Sequence, residues 1–277
     1  MAGEGDERPA CLPMSFFAAA AFAVTAHFLI GAVVELTESA RAGAAYDLVN
    51  ITACQLLVHL AFVLLIARLY GRDIPLRRLL GARAASPGAF VLAALAGAAA
   101  EVPVSFVEQA WSSRFPLSEG EEQNLARVLA AESIGAKIAL VVCLAVLWPL
   151  GEELFHRGAL FGRVRAGHDA RTSTFATALF FTLSTVTTPR GLPSAAAVGL
   201  GLAMLRAASG STLVSLTAHL AFWSSAVYRL FRGPSDDALT ARHTAPLAVA
   251  ALVFALVLAM LLRRDAASAR ARADDGP

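Results

Sequence analysis

The chain is written as a series of long apolar runs separated by short polar segments. Each run is about the ~20 residues needed to span a ~30 Å hydrocarbon core, and length and periodicity together predict helices rather than barrel strands. The runs place helices at 13–36, 48–69, 88–107, 134–165, 172–188, 192–208, 211–230 and 246–262. The predicted fold is an all-α, polytopic membrane bundle of about eight transmembrane helices. No internal repeat is visible, so the inverted-repeat signature of many secondary transporters is missing.

One run breaks the pattern. Gly151-Glu152-Glu153-Leu154-Phe155-His156-Arg157-Gly158 sits where hydropathy says the chain is crossing the membrane. At the bilayer centre each charged residue opposes insertion by roughly 2.5–3.5 kcal/mol, so such a cluster is by default a functional site facing a protein interior.

Composition supports the membrane reading: 57% of residues are hydrophobic, 16% are charged, and the mean hydropathy is +0.62. Cys11, Cys54 and Cys143 have no metal-ligand spacing and imply no disulfide framework. The formal charge of +2 gives no reason to expect a nucleic-acid partner, because topology accounts for the arginines. Arg68, Arg72, Arg77, Arg78 and Arg83 flank the second run and mark a cytoplasmic loop, whereas Glu108, Glu119, Glu121, Glu122 and Glu132 make an acidic outer stretch, solvated and with room for a short surface helix. Alternating sides from there puts both termini in the cytoplasm. The expected organisation is a tail at 1–12, a membrane domain at 13–262 and a tail at 263–277, in a bacterial inner membrane.

Depth brings scattered polar residues together. Glu152 lies roughly 16 Å from the inner anchor Arg163, Ser184 roughly 20 Å from Arg171, and His219 roughly 14 Å from Gly210, at 1.5 Å per residue. Three helices therefore place polar groups at similar depth, predicting one polar cavity that opens toward the cytoplasm or sideways into lipid. Glu152 and His156 share a helix face, as do Glu153 and Arg157. Arg157 can neutralise Glu153. Glu152 is then free to act on water, either as a general base or as a ligand of a divalent metal such as zinc together with a histidine.

These residues resemble the CPBP family of intramembrane proteases. The resemblance is carried by Glu152-Glu153-x-x-x-Arg157 with Gly158, by Phe180-x-x-x-Ser184, and by Gly210-Ser211-Thr212-Leu213 leading to His219-x-x-x-Trp223, over about 134–229. The family includes the CAAX prenyl endopeptidases and resembles, in its bacterial branches, bacteriocin-processing and self-immunity proteins and sorting proteases that trim C-terminal anchors. The resemblance implies a peptidase acting within or beside the bilayer on a membrane-anchored protein or peptide, by glutamate-assisted attack of water without a covalent intermediate. Glu152, Glu153, Arg157 and His219 carry over as catalytic residues, with His219 on the oxyanion. Two positions depart from the pattern: Ser184 stands where the family has histidine, and Trp223 where it has asparagine. Half of the family's water-activating pair is therefore missing. Either His156, at a position where the family prefers an aromatic residue, supplies the imidazole, or the chain is a proteolytically inactive relative that binds, scaffolds or protects a partner.

Other intramembrane polar residues have plainer readings. His27 and His59 are expected to make interhelical hydrogen bonds. Arg206 is expected to snorkel to the interface. Glu101, beside Pro103, either lines the same cavity or finds a partner elsewhere.

Overall fold

In the computed structural model, which describes residues 12–186 and 188–232, the chain forms eight main helices: α1 (Phe16–Ala40), α2 (Leu48–Tyr70), α3 (Pro87–Ser112), α4 (Glu119–Val128), α5 (Ile134–Arg165), α6 (Ala170–Thr185), α7 (Leu192–Ser209) and α8 (Thr212–Arg232). No strand occurs among the described residues. The run at 246–262, most of the N-terminal tail and the C-terminal tail lie outside them. Five stretches, namely α1, α2, α3, α5 and Pro189–Ser209 containing α7, are long and apolar enough to cross a membrane. α6 is shorter, at 16 residues, and α8 carries polar residues along its length, of which Ser215 and His219 are buried in the interior. Large apolar side chains face outward, with Phe17 90% exposed, while glutamates, histidines and arginines lie inside. This inverted distribution suits lipid as the outer solvent, and the protein is an integral, all-α membrane protein.

Local chemistry sets the helix starts. Ser15, Asp47, Ser86, Ser118, Ser133 and Asp169 each accept a first-turn backbone N–H, and Ser118 forms a capping box with Glu121. Asp47 also takes the Arg41 guanidinium at 2.7 Å, a bond that holds its carboxyl below the usual range. The acidic stretch does carry a short surface helix, α4, with no buried residue.

Three apolar clusters surround the site. α1, α2 and the second half of α5 pack around Phe62, Phe155 and Leu160. The alanine-rich faces of α3, α7 and α8 meet around Ala93, Ala96, Leu202 and Ala218. The first half of α5 packs on Leu48 and Val227, with Trp148 and Trp223 at the edge. The α3–α8 contact is a close one: a Cβ added at Gly97 would run into the backbone of Ala218. Small residues at such crossings let helix backbones come together in lipid. Gly97→Leu is therefore expected to destabilise the protein by at least the ~1–3 kcal/mol of an overpacked core, read as a lower melting temperature in detergent. A melting temperature equal to wild type would refute the close approach.

The turn between α7 and α8 is tied to the arginine-rich loop. The Ser211 hydroxyl donates to the carbonyl of Arg83 at 2.6 Å, the Thr212 hydroxyl to that of Leu80 at 2.6 Å, and the Thr212 N–H to that of Gly81 at 3.0 Å. These bonds give the Gly210-Ser211-Thr212-Leu213 motif a mechanical role: they set the start of α8 and hence the height of His219. Arg206 does not snorkel. It turns inward, 7% exposed, donates from Nε to the Arg157 carbonyl at 3.2 Å and lies over the Phe161 ring. An arginine can remain inside because a backbone carbonyl and an aromatic face replace its water.

Candidate active site

α5 is not a uniform α-helix. Val141–Leu147 and Glu153–Leu160 are wound as π-helix, and the second stretch begins at the glutamate pair. Wider turns of this kind are rare and concentrate at functional sites. Within it Glu153, His156 and Arg157 are fully enclosed, and Glu152, just before it, is nearly so.

Arg157 fixes the back of the site. Its Nη1 lies 3.2 Å from Glu153 Oε1, its Nη2 donates to the Gly199 carbonyl on α7 at 2.8 Å, and its guanidinium sits 4.3 Å from the centroid of Phe181. A side chain at Gly199 would press on Phe181, so this glycine lets α7 come close enough to offer its carbonyl. His219 arrives from α8 with Nδ1 3.2 Å from Glu153 Oε1 and Nε2 3.6 Å from Glu152 Oε2. The approaches to Glu153 are misaligned for hydrogen bonding, so charge rather than directed bonds holds this carboxylate. Glu152 accepts from the Trp148 indole N–H at 3.0 Å, one turn earlier on α5.

Trp223 occupies the other side of His219. Its indole N–H donates to His219 Nε2 at 3.1 Å. Nε2 therefore carries no hydrogen in the neutral ring, and the hydrogen sits on Nδ1 facing Glu153. The donor at this edge is thus the tryptophan rather than the histidine that the motif suggests. His156 bonds to neither carboxylate: Nε2 meets the Ser184 hydroxyl at 2.8 Å and Nδ1 the Glu152 backbone carbonyl at 3.1 Å.

A cavity of about 710 Å³ extends from this floor, with Glu152, His219, Ser184, Trp148, Trp223, His59 and Phe181 among its walls. Its far end is formed by Glu108, Thr188, Gly191 and Ser194, and Phe28 and Gly31 of α1 stand at one flank. That end lies opposite the arginine-rich loop at 71–86. The expected opening is toward the cytoplasm or sideways into lipid; the lining residues place the cavity's extension at the end away from the basic loop, next to α1. The glutamates sit midway along α5, whose long first half leaves room on that side.

The structure thus brings Glu152, Glu153, Arg157, His219, Trp223, His156 and Ser184 into one region. Two supporting residues stand apart. Phe180 packs into the apolar cluster with α1 and α2, and its neighbour Phe181 takes the place at the site. Glu101 is not on the cavity wall; it pairs with Arg229 and accepts from the Ser105 hydroxyl at 2.8 Å. His27 makes the expected interhelical bond, to the Ser184 carbonyl at 2.8 Å. His59 does not: its ring stacks on Phe155, and its buried Nδ1 has no partner among the described residues. Trp148 escaped the motif reading, though its i, i+4 spacing to Glu152 was the available signal.

Among the described residues no group of three or more His, Cys, Asp or Glu side chains is placed to hold a metal ion. His219 offers no free nitrogen, since one faces Glu153 and the other accepts from Trp223. The donor set does not suit zinc in this arrangement.

A family model described as Rce1-like, type II CAAX prenyl endopeptidase, matches residues 134–225. Comparison with curated proteins and with solved structures gives no match. The matched segment starts at the first residue of α5 and ends in α8, so it holds Glu152, Glu153, His156, Arg157, Ser184, His219 and Trp223, and leaves α1 to α3 outside. Over this segment, about a third of its length, the chain is similar to that family of intramembrane proteases.

Proposed function

We propose that the protein is an intramembrane endopeptidase that hydrolyses a peptide bond in a membrane-anchored protein or peptide, such as a C-terminal anchor or sorting signal. One observation carries this reading: of two adjacent buried glutamates, Glu153 is neutralised by Arg157, while Glu152 stands at the cavity wall. Glu152 is the general base that takes a proton from water as it attacks the carbonyl. The Trp223 N–H, which donates to His219 at rest, turns to the developing oxyanion, while His219 stays beside both carboxylates. The mostly apolar cavity suits an extended, lipid-soluble segment of substrate.

The test is cleavage of membrane-anchored candidate peptides by the full-length protein in bilayers, with products identified by mass spectrometry. Cleavage at a defined bond is expected. If a broad panel of anchored peptides stayed intact while some bound, the second reading would replace the first. That reading is a non-proteolytic relative that holds or protects a partner. It is favoured by Trp223 closing the Nε2 edge of His219 and by a serine where the family has its second-motif histidine.

We assign the protein to a bacterial cytoplasmic membrane with both termini inside, on the arginine excess around 71–86. Single cysteines introduced in that loop are expected to resist membrane-impermeant thiol reagents in intact cells. Rapid labelling there would reverse the topology and turn the cavity toward the cytoplasm.

A further inference from the structure

Ser184 forms part of the cavity wall, and behind it lies the enclosed ring of His156, with Nε2 2.8 Å from the serine Oγ. The other ring nitrogen, Nδ1, faces the backbone carbonyl of Glu152 at 3.1 Å. A carbonyl oxygen only accepts, so Nδ1 carries the hydrogen and Nε2 is left as the basic nitrogen of the neutral ring. The serine hydroxyl faces that basic nitrogen. Its alternative acceptor, the Phe181 carbonyl one turn back on α6, is farther away at 3.1 Å. The serine backbone is fixed as well, since its carbonyl accepts from His27 on α1 at 2.8 Å. Hydroxyl, imidazole and orienting acceptor thus stand in the order that activates a serine: nucleophile toward the substrate, base behind it, and the far ring nitrogen held in one tautomer.

The geometry points to Ser184 as a nucleophile of this cavity, with His156 as its general base, so that the reaction passes through an acyl-serine. The inference rests on the endopeptidase reading for its substrate, but its first step uses residues outside the glutamate pair. Ser184 Oγ bonds to the scissile carbonyl carbon as its proton moves to His156 Nε2. The imidazolium gives that proton to the leaving amine as the C–N bond breaks. Water then attacks the ester, Glu152 accepts its proton, and that proton returns to Ser184 Oγ as the C–O bond breaks. No other reactant is consumed.

The full-length protein in detergent is treated with an alkyl fluorophosphonate, which phosphonylates activated serines with loss of fluoride, and the modified residue is located by mass spectrometry. The expected result is a label on Ser184, none at this position in Ser184→Ala, and labelling slowed by ~10²–10⁴-fold in His156→Phe. His156→Gln, which keeps a polar partner for the hydroxyl but no basic nitrogen, slows it similarly and serves where the phenylalanine variant does not fold. No label on Ser184 in the wild type overturns the inference, as does labelling unchanged by either histidine variant. Peptide cleavage without a serine label leaves the endopeptidase reading standing and removes this one. A serine label without cleavage of any anchored peptide does the reverse.

Discussion

Glu152→Gln lowers turnover of a cleaved membrane-anchored peptide by ~10²–10⁴-fold while the protein stays folded, because it removes a positioned base and little else. The glutamine side chain is nearly the same size and can still accept from the Trp148 indole, so the local packing survives. It cannot take a proton from water. The loss is expected in kcat and not as a raised KM, since the group acts on water rather than on the substrate's anchor. Steady-state kinetics beside a melting curve separate the two effects. Turnover within a few fold of wild type would remove Glu152 from the chemistry, and a large fall in melting temperature would mean that the carboxylate is structural.

Arg157→Met is the most damaging single change expected in the molecule. The guanidinium is fully enclosed, and its loss would leave Glu153 without its ion-pair partner and would strip the Gly199 carbonyl of its side-chain donor. Breaking one side of a buried ion pair typically costs ~3–5 kcal/mol, enough to unfold a protein of ordinary stability. The variant should accumulate poorly and melt early in detergent. Removing the orphaned charge as well, in Glu153→Gln with Arg157→Met, should recover part of that loss, which a charge-pair role requires. If the double variant were no more stable than the single, the arginine would act through its packing on Phe181 and not through Glu153.

The helices and the central cluster were legible because both are written in one dimension: apolar runs have a length, and charges inside them stand out. Depth matching worked for Ser184 and His219 because each sits on a helix whose membrane end is marked by a charged residue or a glycine. The failures are positions where rotation or a partner decides. Phe180 and Phe181 differ by one step around α6, and the motif spacing chose the residue facing the apolar core. Arg206 near a helix end resembles a snorkelling side chain until the Arg157 carbonyl is found beside it. The π-wound stretch of α5 has no signature in residue type, and the i, i+4 reasoning assumed ordinary turns. The direction of the cavity was hidden for a different reason: charge bias sorts loops by side, but nothing in the run pattern says which half of a helix is lined by empty space.

The meeting of Gly97 with the backbone of Ala218 bears on how much of the chain the chemistry needs. Ala218 is the residue before His219, so the histidine is seated by a backbone-to-backbone contact with α3, a helix that lies outside the family-matched segment. Backbones do not change rotamer to take up a gap. The segment at 134–225 therefore does not by itself set the place of His219. Expressed alone it would lack the wall that sets the position of α8, and homologous segments grafted behind a different α3 would inherit the motif residues without their spacing. Exchange between relatives should succeed only where the first three helices travel with the last four.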